Sequence, residues 1–146
     1  MKIKKISFQD FNYIYSRVPR LCVEVIIRTK DGILLTKRAI VPVKGQWHTP
    51  GGTVYKGESL EQAVKRVAKE ELGVKVKIQK MLGVLEYRMK NYNGWPISVA
   101  YAAQIIAGDS IKLDEQASEY AYFRILPRNM VREQKSFLEK TFHPQK

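Results

Sequence analysis

Two periods of hydrophobic and polar positions divide the chain into predicted helices and strands. Between residues 60 and 72 apolar residues recur every three or four positions, which predicts an amphipathic helix. Two runs of strand-forming residues, 21–28 and 32–38, lie on either side of a Lys-Asp-Gly turn and predict a hairpin. Other apolar runs predict three further strand segments: 74–90 with an interruption at Gly83, 97–107 and 120–125.

Helices are also predicted near both ends of the chain. Ser7 followed three positions later by Asp10 is typical of a helix start. The large apolar residues of this helix recur at helical spacing, which favours packing in a core or an interface: Phe8, Phe11, Ile14 and Tyr15. A last helix is expected over 127–142. This order of elements predicts a mixed sheet between helical layers, in one domain over 1–146 that begins with a helix and arm (1–19).

The helix over 60–72 carries a carboxylate where a hydrophobic residue is expected. At 100° per residue, Glu71 lies only about 20° from Leu60, inside the apolar arc. A carboxylate among apolar neighbours costs several kcal/mol unless a positive group compensates it. Arg66 is placed to approach Glu70 instead, four residues later. A divalent metal ion at Glu71 explains the pattern, and a solvated helix end with a displaced glutamate is the alternative.

The ends of this helix are marked by residues typical of helix termini. Ser59 with Gln62 forms a capping-box pattern at the start, and Gly73 stands where a glycine commonly follows the last turn. Before the helix, Gly51 and Gly52 allow a sharp turn and a close approach of a metal or a phosphate to the main chain.

The segment 50–74 carries a family resemblance. Its spaced residues resemble the Nudix box, G-x5-E-x7-R-E-U-x-E-E-x-G-U with U aliphatic: Gly52, Glu58, Arg66, Glu70, Glu71, Gly73 and Val74. One fixed position departs, because Val67 stands where the family has the first glutamate of its Arg-Glu pair. So many fixed positions make this pattern far more specific than a lone glycine motif.

The resemblance implies an α/β/α sandwich with a mixed sheet and a metal-dependent hydrolase. The substrate it implies is a nucleoside diphosphate linked to another group, and the cofactor is Mg²⁺, with Mn²⁺ as a substitute. Among the motif residues it implies catalytic and metal-binding roles for Glu70 and Glu71. Glu58 and Arg66 are expected to order the motif loop and helix.

Outside the box, about residues 8–126 are similar to the GDP-mannose mannosyl hydrolases within this family. This similarity implies a diphosphate-binding Arg38, a sugar-contacting Glu24 and a set of metal ligands: the Gly51 carbonyl, Glu71 and Gln116, with Glu70 as an addition. Two departures matter. Ala117 replaces the histidine that serves those enzymes as base, and Thr53 replaces a glycine-loop arginine. Their cleavage at the sugar carbon is therefore not transferred, and cleavage at phosphorus is favoured.

Several further residues are candidates for the site. Glu115 and Glu119 are candidate bases in the loop after the last long strand. Lys37 joins Arg38 as a candidate phosphate clamp. Glu24 either faces solvent or points into a pocket. Two aromatic residues are candidate substrate contacts beside alternative roles in packing: Tyr87 and Trp95.

The most informative feature of the composition is the formal net charge, which is +12 at pH 7. Such a charge favours binding to polyanions such as nucleotides or nucleic acid, although the basic residues are scattered and a cationic surface that serves solubility explains them equally. The single cysteine, Cys22, excludes an internal disulfide. No apolar run approaches the roughly 18 to 20 residues of a membrane span, and the start lacks a signal-peptide core. We expect a cytoplasmic protein without membrane contact.

Three alternatives to a nucleotide-sugar hydrolase stay open: a protein that binds RNA 5′ ends or other polyanions, a nucleoside triphosphate pyrophosphohydrolase, and a Nudix module that binds nucleotides without hydrolysing them. The last follows from Val67 and Ala117, while the retained Glu70 and Glu71 speak against it. The apolar N-terminal helix and the resemblance together predict a homodimer.

Overall fold

A computed structural model describes residues 3–88 and 95–142. Over these residues the elements, in chain order, are α1 (Phe8–Tyr15), β1 (Arg20–Thr29), β2 (Gly32–Arg38), β3 (Trp47–His48), β4 (Gly51–Thr53), α2 (Leu60–Leu72), β5 (Val76–Glu86), β6 (Pro96–Ile105), β7 (Ala117–Phe123) and α3 (Arg132–Thr141). No helix in these ranges is long and apolar enough to cross a membrane.

The sheet is mixed, as predicted, and has seven strands with β1 at its centre. The main order is β3-β2-β1-β6-β5, while β4 pairs with β1 and β7 pairs with β2. β1 runs parallel to β6 and antiparallel to β4 and β2. The strands of the predicted hairpin pair only next to the turn, through Arg28 opposite Ile33 and Thr29 opposite Gly32. Farther from the turn the two strands take different partners, because each is buried and must complete its own ladder.

The sheet lies between α2 and α3. Alternate residues of β1 point to opposite faces, so Val23, Val25 and Ile27 pack in the α2 core while Ile26 packs in the α3 core. The apolar arc of α2 is buried in the first core through Ala63, Val64, Val67, Ala68 and Leu72. The architecture is therefore the expected α/β/α sandwich.

Both helix ends of α2 and the start of α1 confirm their predictions. Ser59 accepts from the Gln62 amide and the Gln62 side chain accepts from the Ser59 amide, completing the capping box. Gly73 follows the last turn in the left-handed conformation, with φ 68°. The Ser7 side chain accepts from the Asp10 amide at 3.2 Å, and α1 begins directly after Ser7, at Phe8.

Three predicted boundaries were wrong. Gly83 does not interrupt β5; it lies at a register shift after Met81, with φ 150° and the ring of Phe137 3.2 Å from where a Cβ would be. The strand predicted over 120–125 is β7, which begins earlier and ends earlier. The last helix starts at Arg132, not at 127. The loop predicted over 91–96 lies mostly outside the described residues.

The late start of α3 has a tertiary cause. The Trp47 amide donates to the Asn129 carbonyl, and the Val131 amide donates to the Trp47 carbonyl, each at 2.9 Å. Residues 129–131 therefore pair with β3 through an isolated bridge between Met130 and Trp47 and cannot enter the helix.

Candidate active site

Glu58 and Arg66 form a two-pronged ion pair under the motif loop. Arg66 Nε lies 2.6 Å from Glu58 Oε2, and Nη2 lies 3.0 Å from Oε1. Nη2 also donates to the Thr53 carbonyl, and the Tyr55 amide donates to Glu58. Burial opposes ionisation of Glu58, but the hydrogen bonds from Arg66 and Tyr55 hold the pKa of this carboxyl below its usual value. The pair thus fastens the loop to α2.

Glu71 turns toward the start of β4. Its Oε2 accepts from the Gly51 amide at 2.8 Å. The carboxyl group is buried although the residue as a whole keeps intermediate exposure, and burial, with the charge of Asp114 nearby, raises its pKa to about 8. The ion pairs among the described residues do not include Glu71. A buried carboxyl group without an ion pair is the environment predicted from the helical wheel, and the more distant charge of Arg38 only partly offsets the burial.

Glu70 lies on the outer flank of the helix and is already paired. Lys5 Nζ lies 2.8 Å from Oε1, and Arg66 Nη1 lies 3.2 Å from Oε2. Its side chain is 38% exposed. The two adjacent glutamates therefore have different surroundings, one in contact with cations at the surface and one buried against the main chain of Gly51.

The loop before β7 packs on the end of α2. The Lys112 amide donates to the Leu72 carbonyl, and the Ala39 amide donates to the Gln116 carbonyl, each at 2.8 Å. These bonds attach the loop to the end of α2 through Lys112 and to the residue after β2 through Gln116. Asp114 accepts from the Gln116 amide at 3.0 Å.

Sequence reasoning missed Asp114 as a site residue. It is half-buried, its own pKa is raised by burial with the charges of Glu115 and Glu70 adding, and its charge acts on Glu71. The signal that could have found it is its position as first residue of the acidic triplet that ends in the candidate ligand Gln116.

The two predicted bases have different surroundings from Asp114. Glu115 and Glu119 are exposed. Glu119 lies opposite Lys37 in the ladder, and Lys37 Nζ lies 5.8 Å from the Trp47 ring, on the α3 face. The structure therefore places Glu119 on the opposite face of the sheet from α2 and Glu71.

The predicted clamp of two cations is divided in the same way. Arg38 lines a pocket on the α3 side, with Nε donating to the Pro42 carbonyl at 2.9 Å and Nη2 to the Val41 carbonyl at 3.4 Å. Lys37 faces Trp47 and is not part of the pocket lining. Of these two cations, only Arg38 lines the pocket, together with Arg20, whose Nη1 donates to Thr53 Oγ1 at 2.8 Å.

This pocket has a volume of about 80 Å³ and a polar wall built around Glu24. Glu24 is 4% exposed, so of the two alternatives the pocket is correct. It accepts from Thr49 Oγ1 at 2.5 Å, from Tyr87 Oη at 2.7 Å and from Gln134 Nε2 at 3.0 Å. Burial raises the pKa of Glu24, although the hydrogen bonds from Ser98, Thr49 and Tyr87 favour the charged form.

The predicted aromatic contacts lie at unequal depths. Tyr87 lines the pocket, but its hydroxyl already donates to Glu24 and accepts from Gln134. Its ring remains the part that can meet a ligand. Trp95 is 49% exposed beside the pocket residue Pro96, and its carbonyl accepts from the Arg20 amide at 3.3 Å. Stacking on Trp95 stays a prediction.

His48 lies in the same pocket as a neutral imidazole. Burial lowers its pKa to about 4, with Arg38 adding to the shift and the bond to Thr49 opposing it. Since a carbonyl only accepts, Nδ1 donates to the Thr49 carbonyl at 2.8 Å and Nε2 accepts from the Thr36 hydroxyl at 3.1 Å. His48 therefore holds the main chain here and carries no charge near neutral pH.

The predicted metal donors are all oxygen atoms. Among residues 3–88 and 95–142 no group of three or more histidine, cysteine or acidic side chains is arranged to hold a metal. The predicted set instead combines a carboxylate, a main-chain carbonyl and an amide, from Glu71, Gly51 and Gln116, with Glu70 on the flank. Oxygen donors of this kind suit Mg²⁺, which commonly takes one or two carboxylates and completes its shell with water and substrate phosphates. The buried Glu71 carboxyl fits such an ion.

Comparison with known proteins adds family relatives. The family model described as the NUDIX domain matches residues 18–138. The chain is 36% identical over 124 residues to the Low-salt glycan biosynthesis protein Agl8 of Haloferax volcanii, covering 82% of this chain and 80% of the relative. It is 37% identical over 122 residues to the ADP-ribose pyrophosphatase of Methanocaldococcus jannaschii, covering 83% and 70%. The crystal structure of a MutT NUDIX hydrolase from Burkholderia pseudomallei is similar with a TM-score of 0.75 at 27% identity, covering 83% and 96%.

Proposed function

This chain belongs to the Nudix family of hydrolases, and we propose that it hydrolyses a nucleoside diphosphate linked to a sugar, with Mg²⁺ as cofactor. The observation that carries the proposal is the buried Glu71 carboxyl, bonded to Gly51 and without a paired cation. The relatives favour this substrate class. One is named for glycan biosynthesis and another for ADP-ribose, which is itself a nucleoside diphosphate joined to a sugar.

In this proposal three residues hold the cation: Glu71, the Gly51 carbonyl and Gln116, with Glu70 contributing once it leaves Lys5. The bound cation would offset charge on the diphosphate and its leaving group. Arg38 lines the adjoining pocket and would bind the same phosphates, since a guanidinium matches phosphate oxygens in a two-pronged geometry.

We assign the proton-accepting role to Asp114, ahead of Glu115 and Glu119. Asp114 is half-buried near Glu71, and its raised pKa makes it a stronger base than a solvated aspartate. The pocket around Glu24 would receive the sugar, because its lining includes Gly51 and Arg38 of the proposed cation and phosphate sites together with the ring of Tyr87, which can pack on a sugar face.

A substrate screen tests the proposal. Nucleotide sugars, ADP-ribose, dinucleotides and nucleoside triphosphates are incubated with the protein and Mg²⁺, and the products are separated by anion exchange and identified by mass. Turnover of nucleotide sugars or ADP-ribose, lost on chelation and in Glu71→Gln, is the expected result. Turnover confined to triphosphates, or to capped RNA ends added as a further arm, would contradict the substrate class.

A further inference from the structure

Gln134 is a buried polar residue on a helix otherwise packed by apolar side chains. It is 6% exposed and lies one turn before Leu138, the other buried residue of α3. A buried amide is costly unless its donor and acceptor groups are all bonded. Gln134 belongs neither to the family motif nor to the residues predicted from the sequence.

Its amide makes three hydrogen bonds to three other parts of the fold. Oε1 accepts from the Thr49 amide at 2.8 Å, while Nε2 donates to Glu24 Oε1 at 3.0 Å and to Tyr87 Oη at 2.9 Å. The orientation of the amide follows from the partners, since a main-chain N–H only donates and a carboxylate only accepts. A side chain of this length with one acceptor and two donors is required here.

The bond to Thr49 anchors the segment that crosses from the α3 face to the α2 face. Over residues 49–51 each residue is bonded to a different element. Gln134 of α3 accepts from the Thr49 amide, Val25 of β1 donates to the Pro50 carbonyl, and Glu71 of α2 accepts from the Gly51 amide, each at 2.8 Å. The carbonyl of Gly51, a proposed cation donor, therefore belongs to a segment tied at three points.

The segment also has little room to shift without disturbing β1. A Cβ added at Gly51 would lie 2.8 Å from the Val23 carbonyl oxygen, so the main chain of Gly51 packs directly on that strand. Thr49 is tied a second time through its hydroxyl, which donates to the same Glu24 that Gln134 holds. Loss of the Gln134 amide would release the main-chain amide of Thr49 and remove one of the hydrogen bonds that hold Glu24, the partner of the Thr49 hydroxyl.

We propose that Gln134 is a positioning residue that couples α3 to the cation site by holding Thr49, and through it Gly51, in place. The inference rests on the proposed function in so far as Gly51 and Glu71 hold the cation. Gln134 touches neither the cation nor the phosphates; it acts through the main chain of residues 49–51 and through Glu24.

Mn²⁺ binding to the full chain, followed by electron paramagnetic resonance without substrate, tests the inference. Gln134→Met keeps the length of the side chain and removes all three hydrogen bonds, and we expect it to weaken Mn²⁺ affinity about tenfold, as for residues that orient metal ligands. Gln134→Asn retains the amide on a shorter side chain and should be intermediate. Leu138→Ala is the matched control, because it loosens the same face of α3 without touching this network; it should lower Tm and leave Mn²⁺ affinity unchanged.

The outcomes separate this inference from the proposed function. If wild-type protein binds Mn²⁺ and Gln134→Met binds it equally well, the inference is overturned and the proposed function stands. Equal weakening by Leu138→Ala would also overturn it, because general loosening of α3 would then be sufficient. If the wild-type protein binds no Mn²⁺, the proposed cation site is wrong, and the inference is overturned together with it. Should Gln134→Met fail to fold, wild-type affinity in Gln134→Asn is the result that overturns the inference.

Discussion

The main-chain amide of Gly51 donates a 2.8 Å hydrogen bond to Oε2 of Glu71, twenty residues later. This bond joins the start of β4 to the last turn of α2 and holds a carboxyl group in a buried position. The neutral side chain of glutamine can accept the same bond. The role of Glu71 in the fold can therefore be separated from the role of its charge.

Glu71→Gln should abolish Mg²⁺-dependent turnover and leave the fold intact. Because burial disfavours the charge of Glu71, the variant should also have a higher Tm than the wild-type protein when both are measured with a chelator at pH 8 or above. Differential scanning calorimetry with and without Mg²⁺ checks this expectation. Mg²⁺ should raise the Tm of the wild-type protein and leave the Tm of Glu71→Gln unchanged. Near-normal turnover in the variant would show that the cation is held elsewhere.

Arg66→Met should destabilise the protein by roughly 3 kcal/mol, because it leaves the carboxylate of Glu58 buried and unpaired. The side chain of Glu58 is 2% exposed. Urea unfolding measures the loss. Lys65→Met, on the exposed side of the same helix, is the control and should change stability by less than about 0.5 kcal/mol.

The double variant Glu58→Gln with Arg66→Met tests the cause of that loss. Removing the charge of Glu58 as well should recover part of the stability lost in the single variant, since no buried carboxylate is left without a partner. Losses that simply add would mean that the two residues do not depend on each other.

His48 should titrate far below the usual range for histidine. Its folded pKa of about 4 lies below the ordinary 6.5, so its contribution to stability is complete above about pH 6.5 and is lost as the pH falls toward 4. The chain has two histidines, so NMR resolves them directly, with His143→Gln to assign the signals. His48→Gln should reduce the loss of stability between pH 7 and pH 5. A midpoint near 6.5 for His48 would show that it is not buried as a neutral ring.

Local signals made the motif helix predictable from the sequence. The cap residues Ser59 and Gly73 lie within one or two positions of the helix ends that they set, and the unusual placement of Glu71 follows from periodicity alone. The pairing of Arg66 with Glu70 is likewise an effect of four-residue spacing.

Long-range contacts account for what could not be predicted. Gln134 lies 110 residues from Glu24 and 47 from Tyr87, and no local pattern marks a glutamine that bonds at such separations. The predicted start of α3 was wrong for the same reason, because Asn129 and Val131 form hydrogen bonds with Trp47 of a strand distant in the sequence. Tertiary pairing overrode the helical pattern there.

A homodimer remains a prediction that follows from α1. No residue of this helix is buried, and Phe8 and Tyr13 are 81% and 63% exposed. Large apolar residues in this setting are typical of a surface that meets another chain. Light scattering at micromolar concentration should give the mass of two chains, and Phe8→Ser should reduce it. A monomeric mass for the wild-type protein would remove the prediction.

The last prediction concerns which bond breaks, and it depends on two residues that depart from the family patterns. Ala117 follows Gln116 at the position where the resemblance to GDP-mannose mannosyl hydrolases implies a histidine, and an alanine side chain accepts no proton. A positioned base typically contributes about 10²- to 10⁴-fold to a rate, so attack at the sugar carbon lacks that contribution. Val67 is 2% exposed in the α2 core and stands where the family motif has a glutamate. The proposed cation site for attack at phosphorus therefore has one glutamate fewer, and turnover should be slow.

We therefore expect cleavage at phosphorus, giving a nucleoside monophosphate and a sugar phosphate. In the proposed function Glu71 would hold the cation beside the diphosphate, and Asp114, whose charge acts on Glu71, would accept the proton. Hydrolysis in ¹⁸O-labelled water distinguishes the two reactions. The label appears in a phosphate group if water attacks phosphorus, and in the anomeric hydroxyl of the free sugar if water attacks the sugar carbon. Asp114→Asn should lower kcat by about 10²-fold or more without moving the label, as expected for loss of a base. Label in the anomeric hydroxyl would contradict the prediction and would mean that a base acts at the sugar carbon despite Ala117.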